Sequence, residues 1–229
     1  MALAGRGVLA IWNGIADEAE SDFVAWHVRE HIPERVAVPG FLRGRRYVAE
    51  AGHPKYFNFY EVEAPETLTS PDYLARLNAP SDWTRRVVRH FKDTSRTVCT
   101  VSLSLGAGDG GFVTALRLEA APGTGDDLAR TIAAAVAAPA LREPGIVAVH
   151  LLEGLPDAGG RTAETALRDR PDEQAAWILL VEATDRAPLD RVLAGPASPA
   201  VLAGAGARSA EAGPGIYRLQ FALDRGGLR

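Results

Sequence analysis

The same order of elements can be traced twice along this chain, and that repetition limits the fold more than any single motif. In the first half, residues 8–15 read as a strand, 18–32 as a helix, 41–50 and 56–63 as strands, 70–91 as helical pieces and 94–105 as a long strand. In the second half, 112–119 read as a strand, 126–138 as a helix, 146–153 and 175–183 as strands, 189–205 as a helix and 216–223 as a strand. Both halves are βαββαβ. Pro39-Gly40-Phe41 matches Pro144-Gly145-Ile146, the run from Tyr56 to Val62 matches that from Trp177 to Ala183, and Ser70-Pro71 matches Ser198-Pro199. The aperiodic segment Gly106-Ala107-Gly108-Asp109-Gly110 reads as the linker or exposed turn between them. The expected organisation is therefore α+β, with a first unit over residues 1–105 and a second over 111–229. A single βαββαβ unit makes a four-stranded antiparallel sheet with both helices on one face, so its other face needs a cover. Two units can press those faces together within one chain or exchange them with a second chain, and a homodimer is expected.

Charge and cysteine content narrow the function classes. The net charge of -4, from 25 Lys+Arg against 29 Asp+Glu, offers no general attraction to nucleic acid or to an anionic membrane. The apolar stretch at residues 7–12 is too short for a signal core or a membrane span. The single cysteine, Cys99, lies in an apolar run and reads as a small buried hydrophobe, and the composition fits a reducing cytoplasm. The expected partner is a small molecule.

The chemistry concentrates in the first half, which holds four of the five histidines, three of the four tryptophans and four of the five tyrosines. Its focus is His27-Val28-Arg29-Glu30-His31-Ile32-Pro33. With Ser21 as N-cap, the two imidazoles fall four residues apart on one side of a helix, with Phe23, Val24, Val28 and Ile32 as candidates to anchor it to the sheet. Pro33 is expected to end the helix just after His31, placing that imidazole in a last turn where the dipole favours its protonated form. His27-x-x-Glu30-His31 is also, letter for letter, a zinc-protease pattern. That reading needs a third ligand and a longer helix, and nothing in the spacing of Glu34, Glu50 or Glu61 selects one of them. No metal site is expected.

Trp26, His31, Pro33 and Pro39-Gly40-Phe41, followed by the strand from Arg43 to Tyr47, carry a resemblance. The first half resembles the dimeric α+β barrel superfamily of ferredoxin-like units, and within it the EthD-like branch, whose members carry an aromatic residue before His-x-Pro and then Pro-Gly-Phe. The second half resembles the superfamily only in outline, as a degenerate copy. The resemblance implies cofactor-free cyclases, isomerases, lyases or monooxygenases acting on small, often aromatic molecules, and also haem proteins. It does not fix a reaction. At the place of His27 such proteins more often have tyrosine.

The leading expectation is an enzyme without a cofactor performing histidine acid/base chemistry, as an isomerase, cyclase, lyase or dehydratase, on a small carbonyl-containing or aromatic molecule. His31 is the principal acid/base and His27 a second proton relay, while Tyr47 or Tyr56 stabilises an oxyanion. Trp12, Asn13, Trp26, Arg46, Asn58 and the turn residue His53 are candidates to bind substrate. On the second strand, alternation puts Phe41, Arg43, Arg45 and Tyr47 on one face and Gly44, Arg46 and Val48 on the other. The alternatives are a non-catalytic small-molecule or haem-binding protein, in which an imidazole ligates iron, and an assembly protein whose sheet faces serve only association. Asn13 and Asn58 would orient a carbonyl if both face the helices. His90 and His150 read as surface and core residues. No nucleotide-binding loop or serine-nucleophile elbow is present.

Overall fold

A computed structural model describes residues 3–156, 158, 162–167, 172–209 and 213–228. The first half runs β1 (Gly7–Ile15), α1 (Glu20–Trp26), a π turn (His27–His31), α2 (Ile32–Ala37), β2 (Phe41–Ala51), β3 (Tyr56–Val62), α3 (Pro71–Asn78), α4 (Asp82–Val88) and β4 (Phe91–Gly106). The second runs β5 (Phe112–Ala120), α5 (Leu128–Ile132), a π turn (Ala133–Ala137), α6 (Ala138–Ala140), β6 (Ile146–Gly154), β7 (Trp177–Ala183), α7 (Arg186–Ala194), α8 (Pro199–Gly204), the short β8 (Ala207–Ser209) and β9 (Gly215–Asp224). Each half is βαββαβ, with β8 as an addition that sequence periodicity did not show.

The strands form one antiparallel sheet in the order β7-β6-β4-β1-β3-β2-β9-β5, and a β7–β5 pairing closes the ring, leaving β8 attached to β5. Two seams join the halves: β2 pairs with β9, and the 16-residue β4 pairs with β6. The halves therefore meet edge to edge as well as face to face, and the sheet face that would call for a second chain is covered from within. The reason to expect a homodimer on that ground falls away. Among the described residues no helix is long and apolar enough to cross a membrane.

Closure gives every central strand two buried faces, which is why β3 and β7 are buried at all seven positions and read as almost unbroken apolar runs. The lumen is filled by side chains. Trp12 stacks on Phe57 with ring centroids 4.5 Å apart, Tyr47 and Tyr217 flank Phe57 at 5.8 and 5.7 Å, and Val113, Leu152, Ile178 and Leu180 complete the layer from the second half. The opposite face of each half packs against its own helices, Leu9, Ile32, Val36, Tyr60 and Tyr73 in the first half and Leu116, Ile132, Val136, Val149 and Leu179 in the second.

One end of the lumen holds buried charge. Arg45 donates to Glu182 at 3.0 Å and to Glu61 at 2.9 Å; Arg43 donates to the same Glu61 oxygen at 2.8 Å and to Asp109 at 2.5 Å. The backbone N–H of Gly110 donates to Glu182 and that of Ala4 to Glu61. Burial opposes the charge on Glu182, but Arg45, His150 and the Gly110 N–H outweigh it and hold its carboxyl down at about 2. The linker is thus an ordered plug tied to the barrel through Asp109 and Gly110, not a free turn.

Three local expectations are corrected. Ser21 is not the N-cap: a short 3-10 turn (Asp17–Ala19) leads directly into α1 at Glu20, so Ser21 lies inside the helix. Pro33 does not end the helix, which continues to Ala37. A proline within an α-helix clashes with the carbonyl four residues back and removes an N–H. The chain passes it by widening the preceding turn, so that Ile32 N–H bonds to the His27 carbonyl five residues back. His31 therefore has no helix-end dipole beside it. A bulge between Phe41 and Arg43 also breaks the simple alternation, sending Phe41 to the helix side while Arg43, Arg45 and Tyr47 face the lumen.

Candidate functional site

The widened turn stacks the two imidazoles beneath the sheet's helix-facing side, with ring centroids 5.4 Å apart and planes 26° from parallel. Trp26 lies against His31 at 4.2 Å and is fixed by its indole N–H donating to Thr84 at 3.1 Å. Both histidines are buried. They line a small cavity of about 30 Å³ with Leu9, Ile11 and Asn58 from the sheet, Arg35 and Tyr60, Tyr73 from α3, and Phe91, Thr94 and Arg96 from β4. Glu164, from the second half, completes the wall.

His27 Nε2 lies 3.2 Å from the Tyr60 hydroxyl, while its Nδ1 has no hydrogen-bond partner among the described residues. Burial, with the nearby charges of Arg46 and Arg35, pushes the His27 pKa well below the ordinary imidazole value, so at neutral pH it is an uncharged donor–acceptor. Burial raises the Tyr60 phenol, which stays protonated. If Nε2–H donates to Tyr60, Nδ1 is a bare base without a partner among the described residues. If the phenol donates instead, Nδ1 carries the proton. A rotation of one hydroxyl and one proton transfer exchange these states.

Two more buried polar atoms, on residues that line the cavity, lack a hydrogen-bond partner among the described residues: Arg35 Nη1 and Asn58 Oδ1. Asn58 donates its amide to Asn13 at 2.8 Å, and Asn13 donates to the Gly14 carbonyl, so the asparagine pair is anchored on one side and open on the other. Arg35 is held through Nη2 by an ion pair to Glu164. Burial opposes its charge, but Glu164, Tyr73 and Tyr60 more than offset this and raise its pKa.

Of the residues expected to form the site, His27, His31, Trp26 and Asn58 line the cavity, with Asn13 immediately behind. Tyr47 and Trp12 do not reach it, because they face the lumen on the other side of the sheet. Tyr56 is on the correct face but donates to Glu20 at 2.5 Å, outside the cavity wall. Arg46 ties α1 to the sheet through the Val24 carbonyl and Gln220. His53 sits exposed in the β2–β3 turn, 3.1 Å from Asp93. Glu30, the general base of the zinc-protease pattern, points instead to Ser81 and Thr84 on the α4 side. Among the described residues no three His, Cys, Asp or Glu side chains are grouped to hold a metal.

Arg35, Tyr60, Tyr73, Arg96 and Glu164 were missed. Arg35 was within reach of the sequence, since His27, His31 and Arg35 repeat every four residues along one side of the helix. Glu164 was not, being 129 residues from its partner. It belongs to the connection between β6 and β7, residues 155–176, whereas the matching β2–β3 connection spans only residues 52–55. Described parts of the long connection run beside β4 and onto the first half's α3: Leu155 N–H donates to Val98, Ser95 pairs with Glu173, and Glu164 N–H donates to the Leu77 carbonyl.

No protein-family model and no curated protein sequence matches the chain. Solved structures do. An anthrone oxidase-like protein superposes with a TM-score of 0.66 at 13% identity, over 97% of this chain and 94% of that one. A protein from Fusobacterium nucleatum named for monooxygenase activity gives 0.58 at 9% identity, over 97% and 96%. A haem-binding protein from Thermus thermophilus gives 0.56 at 10% identity, over 98% and 93%. These likenesses, with the closed antiparallel ring and its outer helices, define the fold as a dimeric α+β barrel of ferredoxin-like halves, contained in one chain.

Proposed function

We propose that the chain is an enzyme that moves protons on a small carbonyl-containing or aromatic molecule, as an isomerase, cyclase, lyase or dehydratase, with no cofactor. One observation carries this reading: three buried polar atoms, His27 Nδ1, Arg35 Nη1 and Asn58 Oδ1, lack hydrogen-bond partners among the described residues and belong to residues lining one aromatic-walled cavity. Buried polar groups are nearly always paired, so a cluster of open ones is explained by a ligand that pairs them. His27, neutral and backed by Tyr60, removes a proton from the bound molecule and returns it at another atom, while Asn58 orients an oxygen. His27 thus takes the leading role assigned from sequence to His31, which packs against it and Trp26. The first half is the active copy of a tandem duplication, and the EthD-like placement rests on Trp26, His31 and the Pro-Gly-Phe turn.

The test needs no known substrate. Purified protein in D2O, incubated with a panel of small ketones, β-dicarbonyls and phenols, is expected to speed deuterium incorporation into one of them, read by mass spectrometry. His27→Ala should lower that rate by about 10²–10⁴-fold. Equal rates for both proteins across the panel would sink the proposal.

The haem-binding reading is favoured by the Thermus thermophilus neighbour and by two imidazoles in one cavity. The residues do not fit it well: at about 30 Å³ the space takes a small head group, and a macrocycle would have to force the helix from the sheet. A Soret band in the protein purified after expression with added haem would restore it.

A further inference from the structure

We infer that the ligand of the His27 cavity is a small organic anion, its acidic group held by Nη1 of Arg35 while Glu164 from the second half grips Nη2. The inference rests on the cavity being a ligand site and adds the ligand's charge. Arg35 is 3% exposed. Its guanidinium is satisfied on one side only: Nη2 pairs with Glu164, and Nη1 has no hydrogen bond among the described residues. The Glu34 carboxylate is 4.0 Å from Nη1, beyond hydrogen-bond reach, and the Tyr73 ring lies under the guanidinium at 5.9 Å.

The balance of charge around the cavity points the same way. Arg35 and Arg96 both line it, against the single carboxylate of Glu164. Arg96 donates to the Tyr73 hydroxyl at 3.3 Å, and of the two glutamates on the helix Glu30 is taken up by Ser81 while the part-exposed Glu34 stays 4.0 Å from Nη1. His27 contributes no charge. Among the lining residues two guanidiniums face one carboxylate, with the part-exposed Glu34 a looser counter-charge 4.0 Å away, and the most buried donor is a planar fork, the geometry that suits a carboxylate or an enolate. Glu164 already shows that a carboxylate binds this guanidinium. A second carboxylate on Nη1 would complete the arrangement that Arg45 displays in the lumen, where one guanidinium is shared by Glu182 and Glu61. At about 30 Å³ the cavity admits an acidic head group, not a large body.

Acetate and its neutral counterpart acetamide are the probes, titrated at constant ionic strength while the His27 imidazole resonances are followed by NMR. Acetate is expected to shift them saturably, with acetamide at least about tenfold weaker, the scale of one charge-assisted hydrogen bond. Glu164→Gln removes the competing carboxylate and should tighten acetate, while Arg35→Gln should abolish the preference for the anion. Equal responses to acetate and acetamide, no saturable response to either, or a preference retained in Arg35→Gln would each overturn the inference. If Arg35→Gln loses its fold, the wild-type and Glu164→Gln titrations still decide. The readout is binding, so anion selectivity without deuterium exchange would keep this inference and remove the catalytic reading, and the reverse result would do the opposite.

Discussion

The two halves pass a proline in the same way and use the result differently. In the first, Ile32 N–H reaches back five residues to His27 and Pro33 follows; in the second, Ala138 N–H reaches back five residues to Ala133 and Pro139 follows. One π turn carries two imidazoles and the other carries Ala133 to Ala137. A π turn in a helix often marks a functional site. Its recurrence in an alanine-lined half shows that here it belongs to the backbone's accommodation of proline. Chemistry enters through what the turn displays, and the second half displays only methyl groups and Val136, packed into an apolar core.

Three further measurements can break or sharpen that contrast. The largest effect is expected where the halves are most alike. Glu61 and Glu182 hold the same place near the ends of β3 and β7, and both bind Arg45. Removing either carboxylate takes away one of the two buried counter-charges of Arg45, so Glu61→Ala and Glu182→Ala should each cost about 3 kcal/mol in urea unfolding. A loss confined to one of them would show that the seam belongs to one half only.

The next effect separates the halves by pH. The unfolded His27 imidazole takes up a proton near 6.5, and the buried one resists protonation until well below that. Below pH 6.5 the unfolded state therefore binds more protons, and stability falls with pH at up to about 1.4 kcal/mol per unit until the folded pKa is reached. In His27→Phe this part of the slope should vanish. An unchanged slope between pH 6.5 and 5 would mean that His27 is not held neutral.

The smallest effect concerns matched serines. Ser70 accepts a hydrogen bond from the Tyr73 N–H at the start of α3, while Ser198, at the start of α8, makes no such bond. Ser70→Ala should cost about 1 kcal/mol and Ser198→Ala close to nothing, read as a difference in unfolding midpoint. Equal costs would mean that the second half's helix is capped as well as the first.

The element order was legible because its signals are local: alternation in the strands, a Pro-Gly turn before β2 and β6, and serine-proline starts at α3 and α8. Closure of the ring was only half legible, since face-to-face covering follows from a bare apolar face, but the edge seams of β4 with β6 and β2 with β9 depend on register between distant strands. The bulge at Phe41 and Arg43 hid the side of the sheet on which Tyr47 falls, and with it the separation of Tyr47 from the histidines. His27, His31, Trp26 and Asn58 were found because they share a helix side or a strand face. The polar partners that set the electrostatics, Tyr60 and Arg35 apart, come from α3, β4 and the other half of the chain, where spacing carries no information.

The 22 residues between β6 and β7 have a consequence for how such a barrel can change over time. In a ring built from two identical chains, every mutation is written twice, and lengthening one connection would wall both pockets alike. A ring written in one chain escapes that rule. Here the second half, with alanine where the first has histidine, can lend its longest connection and Glu164 to its neighbour without altering a pocket of its own. The two halves are thus free to inherit changes separately, one supplying the histidines of the cavity and the other supplying part of its wall.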